Sequence, residues 1–279
     1  MSMYETFFDM KNKPFVRDIE PEFLYESSAM KSAMERLRFA ADNELFVVVT
    51  ADAGCGKSTL IRRFNESLPK DKYKLLYLSD SKLTPRWLYT YLLDQLGLEA
   101  SFYRGDAKKL LQNQIAVIRN KEHRKVVCVL DEAHLLEKET LEEFRFLLNS
   151  NFDSESQMAL ILVGQTELWD TKLRYQRYAA IRQRIDINCI LPHLDQAETI
   201  SYINSNLRYA GCDHNLFTEA AEQLIFKITT GIPRMINRVC DNCLMYAAQQ
   251  NQKIVDDHMV NFVAEHEMLT SSVENPEGN

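Results

Sequence analysis

Short apolar runs alternate with longer segments of helical spacing along most of this chain. The runs that have the length of a strand cover residues 45–49, 73–79, 126–130, 158–163 and 185–191. The segments between them repeat apolar residues at the three- and four-residue spacing of one helix face. Apolar strands that alternate with helices are typical of a parallel sheet covered on both sides. The pattern predicts an α/β domain at residues 44–192, with a parallel five-stranded sheet flanked by helices.

After Pro192 the chain has helical spacing only. The predicted helices cover residues 195–209, 218–229, 233–249 and 255–267. Asp195 and Glu198 have the spacing of a capping box at the start of the first one. We therefore expect a small all-helical domain at residues 193–267. A disordered tail is predicted at residues 268–279, which are rich in Ser, Asn, Pro, Gly and Glu.

The first apolar run leads into a glycine-containing loop and then into a helix. Gly54 and Gly56 allow the backbone to curl, so that successive N–H groups point at a polyphosphate. Lys57 is expected to reach the β- and γ-phosphates, and the Ser58 hydroxyl to hold Mg²⁺. Ala51 stands where the pattern G-x-x-x-x-G-K-[ST] has its first glycine, and is tolerable there if its φ is negative. The candidate nucleotide-contacting residues of this loop are Ala53, Gly54, Cys55, Gly56, Lys57, Ser58 and Thr59.

Two acids follow the third apolar run. Residues 126–130 lead into Asp131 and Glu132, and the carboxyl end of a buried parallel strand faces the ligand edge of an open α/β sheet. Asp131 is expected to contact the nucleotide through the Mg²⁺ shell, and Glu132 to orient and activate the water that attacks the γ-phosphate. For His134, helix capping or core packing is favoured over a role in catalysis, which is the alternative.

Gln165 stands at the end of the fourth apolar run, beside the strand that carries the two acids. A polar side chain at this strand tip can sense the γ-phosphate or hold the attacking water. A simple hydrogen bond within a turn is the alternative.

A basic cluster at residues 171–186 contrasts with the acidic chain around it. It holds five cations, Lys172, Arg174, Arg177, Arg182 and Arg184, against Asp186. An arginine that reaches the γ-phosphate of a neighbouring subunit is one explanation. Nucleic-acid contact and a merely solvated face are the others. Lys82 and Arg86 form a further basic spot that is open to the same alternatives.

Arg234 lies in the first turn of a predicted helix, where Gly231 ends one helix and Pro233 starts the next. A cation held there could swing onto the nucleotide, or it could pair with an acid. At the other end of the chain, residues 1–43 carry aromatic side chains and prolines before a helix at residues 28–41. We expect this segment to pack against the α/β domain, and its rings could also form one wall of an adenine pocket.

The net charge of −7 comes from 33 basic and 40 acidic residues. This balance argues against a uniformly basic nucleic-acid binder but allows a local basic surface. The six scattered cysteines are typical of a reduced, intracellular protein. No apolar run approaches the roughly 20 residues that span a bilayer, and the N-terminus does not have the pattern of a signal peptide. The sequence predicts a cytoplasmic protein without a membrane partner.

In combination these motifs resemble the AAA+ ATPases. The likeness rests on the order of the phosphate loop, the Asp-Glu strand, the glutamine at the next strand tip, Gln183-Arg184-Ile185 and Gly231-Ile232-Pro233-Arg234. More narrowly, residues 3–266 resemble the ExeA/GspA-like group through Lys13-Pro14-Phe15, Phe23-Leu24-Tyr25, Asp131-Glu132-Ala133-His134-Leu135-Leu136, Leu147-Leu148-Asn149, Leu162-Val163-Gly164-Gln165 and Tyr209-Ala210-Gly211.

The resemblance implies a P-loop AAA+ domain with a helical lid, and ATP and Mg²⁺ as cofactors. It implies that Arg184 is the arginine finger and Arg234 the sensor-two residue. It also implies a homo-oligomer, a ring or filament, with ATP at its subunit interfaces.

The ExeA/GspA-like group contains secretion-associated ATPases and also DNA transposition regulators comparable to TnsC, TniB and IstB. Secretion members generally continue into a membrane span, whereas this chain stops. The expected function is therefore an ATPase that assembles on double-stranded DNA and recruits or regulates a transposase. Lys82 and Arg86 are the leading candidates for DNA contact, and Lys172 and Arg174 come second. The alternatives are a secretion-assembly ATPase and a signalling NTPase switch that acts without DNA.

Overall fold

The computed structural model describes residues 3–16, 19, 23–79, 83–148 and 156–267. Its strands are β1 (Phe46–Thr50), β2 (Tyr73–Leu78), β3 (Lys125–Leu130), β4 (Ala159–Gly164) and β5 (Ile187–Ile190). Its helices are α1 (Met3–Phe7), α2 (Ser28–Asn43), α3 (Lys57–Ser67), α4 (Pro85–Asp94), α5 (Arg104–Asn120), α6 (Lys138–Leu148), α7 (Ala179–Arg182), α8 (Gln196–Tyr209), α9 (Glu219–Thr229), α10 (Pro233–Gln249) and α11 (Asp257–His266).

The chain forms two compact units. One is Ser28–Pro192, and the other combines Met1–Ser27 with His193–Asn279. Within the described residues, the first unit contains a parallel sheet in the order β2-β3-β4-β1-β5. This confirms the predicted five-stranded parallel sheet flanked by helices.

The central strands of the sheet have continuous apolar sequences because they are buried. Strands β1 and β4 are buried along their whole length, and β3 is buried after its first residue. A strand in the middle of a sheet with helices on both faces has no solvent side, so its sequence does not alternate. Because β4 lies between β1 and β3, the three carboxyl ends are neighbours at one edge of the sheet.

Several short elements were not predicted. They include α7, a π-helical segment at Leu168–Leu173 and 3₁₀ turns at Ala133–Leu135 and Gln176–Tyr178. A segment of three to six residues is too short to repeat an apolar spacing. Its geometry depends on contacts with the rest of the unit.

The helical unit has its own apolar core, made by α8 to α11 together with the first residues of the chain. Tyr4, Phe8 and Phe15 are buried in this core, and the Tyr4 hydroxyl donates to the Asp241 carboxylate of α10. The expectation that residues 1–43 pack as one segment on the α/β domain is therefore corrected. Of this segment, α2 belongs to the sheet unit, whereas the buried aromatic residues before it pack in the core of the helical unit.

Helix ends in this unit follow the sequence closely. Asp195 and Glu198 form the predicted capping box at α8. Gly231 has φ +76, and a Cβ placed there would lie 1.9 Å from the Leu194 carbonyl oxygen. Glycine is therefore required where the chain turns into Pro233, the first residue of α10.

The tail predicted at residues 268–279 lies outside the described residues. Among the helices that are described, none combines the length and apolar character needed to cross a bilayer.

Candidate functional site

The loop between β1 and α3 curls around a buried lysine. Gly54 and Gly56 have φ values of 93° and 89°, in the left-handed region that glycine enters without strain. Lys57 is the first residue of α3 and is 8% exposed. Its ammonium donates to the backbone oxygens of Ala51 (2.9 Å) and Asp52 (3.1 Å). A cation held at a helix N-terminus adds to the positive end of the helix dipole, and such an arrangement favours an anion.

Ala51 replaces the first glycine of the motif without disturbing the backbone. It is fully buried, and its N–H donates to the Gly164 oxygen at 3.2 Å. This bond extends the pairing of β1 with β4 by one residue. The φ angle of Ala51 is not in the positive range. The position therefore does not require glycine.

The Asp131 carboxylate at the end of β3 is held by two donors. The Tyr77 hydroxyl of β2 donates to its Oδ2 and the Glu132 N–H to its Oδ1, both at 2.9 Å. Burial, followed by the nearby Asp131 charge, raises the pKa of Tyr77 well above its usual value. The phenol therefore stays protonated and remains a donor. Sequence reasoning missed Tyr77, because its relation to Asp131 depends on the pairing of β2 with β3.

Glu132 and His134 form a contact just beyond the same strand. Glu132 has a left-handed backbone with φ 52, an uncommon conformation for a residue with a side chain. Its carboxylate lies 3.4 Å from His134 Nδ1, and the side chains are 43% and 6% exposed. His134 Nδ1 also lies 3.4 Å from the Gln165 backbone nitrogen. One ring nitrogen cannot accept from Gln165 and donate to Glu132 at once, so the tautomer decides which bond is made.

His134 therefore does more than the predicted capping or packing. It joins the ends of β3 and β4, and its backbone oxygen accepts a hydrogen bond from the Lys172 ammonium. A second bond joins β4 to the phosphate loop, since the Thr166 hydroxyl donates to Asp52 Oδ1 at 3.0 Å. Sequence reasoning did not find Asp52 or Thr166. Their only signal was a polar residue beside a strand end, which is common in turns.

The donor set fits a magnesium nucleotide. Curled backbone N–H groups and the Lys57 ammonium suit phosphate oxygens. The Ser58 side chain is exposed in the first turn of α3. Hydroxyl and carboxylate oxygens, such as those of Ser58 and Asp131, are ligands that Mg²⁺ prefers. A bound Mg²⁺ would neutralise charge on the phosphates.

Comparison with known proteins agrees with this geometry. Residues 40–171 match the family model described as an AAA domain. Drosophila ORC bound to DNA aligns at TM-score 0.65 and 15% identity, over 96% of this chain and 66% of that one. The Cdc6p structure from Pyrobaculum aerophilum aligns at TM-score 0.64 and 15% identity, over 86% of this chain and 67% of that one. This chain has the AAA+ P-loop fold.

One curated relative is similar along most of this chain. It is General secretion pathway protein A of Aeromonas hydrophila, which is 32% identical over 259 residues. The alignment covers 91% of this chain and 46% of that protein. The chain thus spans about half the length of this relative, and the predicted likeness to GspA is confirmed. None of these comparisons shows a TnsC-like resemblance.

The two arginines for which the AAA+ resemblance implies a role, Arg184 and Arg234, both lie within the described residues. Arg184 is half-buried between α7 and β5, in the sheet unit. Arg234 is exposed at the second position of α10, in the helical unit. Their roles as arginine finger and sensor-two residue stay predictions.

The residues predicted to contact DNA have different surroundings. The Lys172 ammonium donates to the backbone oxygens of His134 and Leu136, and burial lowers its pKa. Lys172 thus supports the turn after Glu132, and its contact with DNA stays a prediction. Arg174 and Arg86 are exposed, and the Arg86 guanidinium lies 4.6 Å from the centre of the Phe102 ring. Lys82 lies outside the described residues.

Proposed function

We propose that the AAA domain binds ATP with Mg²⁺ and hydrolyses it to ADP and phosphate. The observation that carries this proposal is the connection between three strand ends. The Thr166 hydroxyl donates to Asp52 of the phosphate loop, and His134 Nδ1 lies 3.4 Å both from the Gln165 backbone nitrogen and from the Glu132 carboxylate. An acid that orients water is thereby kept in a fixed relation to the loop that holds the phosphates, as an in-line attack requires.

Each residue has one role in this proposal. Lys57 binds the phosphates, Ser58 and Asp131 hold Mg²⁺, and Glu132 orients the attacking water. Gln165 senses the γ-phosphate from the adjacent strand tip. Arg184 reaches the nucleotide of a neighbouring subunit in a homo-oligomer, and Arg234 contacts the nucleotide from the lid.

As its physiological role, we propose ATP-driven assembly within a secretion pathway. The support is the 32% identity with General secretion pathway protein A over most of this chain. The alignment covers 46% of the relative. That this chain shares the pathway and the partners of the whole relative is therefore part of the proposal.

Glu132→Gln introduced into the gene in its native host tests this role. Secreted protein in the culture medium should fall to the level of a deletion strain, because an assembly that depends on ATP turnover stops when hydrolysis stops. Glu139→Gln removes an exposed carboxylate from the first turn of α6 and should leave secretion unchanged. Normal secretion in both the deletion strain and the Glu132→Gln strain would contradict the role.

A second candidate is ATP-dependent assembly on double-stranded DNA, with recruitment of a transposase. Exposed Arg86 and Arg174 favour it, because they offer cations to a DNA backbone even though the whole chain has a charge of −7. An oligomer would repeat these cations along one track, which raises avidity beyond that of one subunit.

DNA binding measured by fluorescence anisotropy, with a non-hydrolysable ATP analogue across a salt series, tests the second candidate. Arg86→Glu should weaken binding and lower the salt slope by about one, because one phosphate contact is lost. Lys70→Glu makes a charge reversal at an exposed site before β2 and serves as the control. Absence of ATP-dependent binding at low salt would exclude the candidate. An unchanged slope in both Arg86→Glu and Arg174→Glu would exclude these residues as contacts.

A further inference from the structure

The side chain of Gln95 pairs with the open edge of strand β2 at Tyr77. Gln95 directly follows α4, and its amide makes two bonds to the backbone of Tyr77. Gln95 Oε1 accepts from the Tyr77 N–H and Gln95 Nε2 donates to the Tyr77 oxygen, both at 2.8 Å. Strand β2 is an edge strand, so the amide takes the place of a neighbouring strand at this one residue. The backbone of Tyr77 is therefore fixed by the end of α4.

The other end of Tyr77 fixes the carboxylate. Its hydroxyl donates to Asp131 Oδ2 at 2.9 Å, while Asp131 Oδ1 accepts from the Glu132 N–H. The Asp131 N–H in turn donates to the Leu78 oxygen at 2.8 Å. Backbone and side chain of Asp131 are thus both positioned from β2. Groups that orient a metal-holding carboxylate change metal affinity by about 10- to 100-fold when they are removed.

Helix α4 links this arrangement to the protein surface. Leu88, Leu92 and Leu93 of α4 are fully buried in the core of the sheet unit. Its other side carries Trp87 and Tyr91, which are 57% and 43% exposed. Gln95 therefore links the backbone of Tyr77 to the end of α4.

We propose that Tyr77 is a positioning residue for the magnesium nucleotide, and that Gln95 couples its position to α4. This inference rests on the ATP site proposed above. It adds two residues outside the phosphate loop and the acidic strand end, and it predicts an effect that depends on the metal and not on the nucleotide alone.

Tyr77→Phe in the full chain tests the inference, with a fluorescent ATP analogue titrated in Mg²⁺ and again in EDTA. The affinity in Mg²⁺ should fall about 10- to 100-fold. The affinity in EDTA should stay unchanged, because the phosphate loop is intact. In Tyr77→Phe, the kcat measured at saturating Mg²⁺ and nucleotide should lie close to the wild-type value. The KM for the nucleotide at limiting Mg²⁺ should be raised.

Tyr73→Phe is a matched control on the same strand. The Tyr73 hydroxyl donates to the Asp42 carboxylate, and burial followed by Asp42 raises the pKa of Tyr73 to about 12. The variant therefore loses the same kind of bond away from the site, and both affinities should match wild type. Gln95→Leu should weaken the Mg²⁺-dependent affinity in the same direction as Tyr77→Phe.

The outcomes separate the inference from the function beneath it. If wild type binds the nucleotide and Tyr77→Phe binds it equally well in Mg²⁺, the positioning role is wrong. An equal loss in Mg²⁺ and EDTA would also overturn it, because that result indicates general damage to the fold. An unchanged Mg²⁺ dependence in Gln95→Leu would overturn the coupling to α4. A wild-type chain that binds no nucleotide would contradict the proposed function and the inference together.

Discussion

Lys57→Ala should weaken ATP binding by roughly 30-fold or more. The Lys57 ammonium is held within the phosphate loop by the oxygens of Ala51 and Asp52. Lys57 is buried, so solvent would not supply the interaction with the phosphates that the variant loses. Loss of one partner of a buried charge pair costs about 2–5 kcal/mol, or roughly a 30-fold loss of affinity at least. Titration of a fluorescent ATP analogue measures the effect.

Lys70→Ala is the control, since it removes an exposed lysine of the same unit. Circular dichroism should show that both variants are folded. Wild-type affinity in Lys57→Ala would remove the foundation of the ATP proposal.

The same variant also tests Arg184, because mixing Lys57→Ala with Arg184→Ala subunits should restore some hydrolysis at mixed interfaces. If confirmed mixed assemblies hydrolyse no more ATP than either variant alone, Arg184 does not act across subunits.

Glu132→Gln should separate binding from hydrolysis. The amide has the shape of the carboxylate but cannot take a proton from water, and general base catalysis contributes about 10²- to 10⁴-fold. Affinity for ATP should be retained, because the loop around Lys57 is unchanged, while kcat falls by about this factor. Phosphate release and analogue binding are measured on the same preparation.

Glu139→Gln provides the matched control and should hydrolyse ATP at the wild-type rate. Turnover at the wild-type rate in Glu132→Gln would reassign the base. A loss of binding together with turnover would indicate that Glu132 supports the structure of the loop, which its left-handed backbone at φ 52 makes a concrete alternative.

The sequence by itself determined the parallel sheet and the order of the motifs on it. Strands β1, β3 and β4 are buried on both faces, so their sequences are apolar and end abruptly at polar residues. The phosphate loop could be predicted for a similar reason. Gly54 and Gly56 need positive φ values and Lys57 follows them directly, so the requirement is local and is written in consecutive residues.

Tertiary structure alone decided which side chains surround those motifs. Tyr77 reaches Asp131 only because β2 pairs with β3 in one register, and Gln95 reaches Tyr77 only because α4 ends beside that edge. Lys172, a candidate for DNA contact from the sequence, donates to the backbone oxygen of His134 from 38 residues away. Contacts between residues distant in the chain leave no spacing to recognise, because either partner alone is an ordinary polar residue near the end of an element.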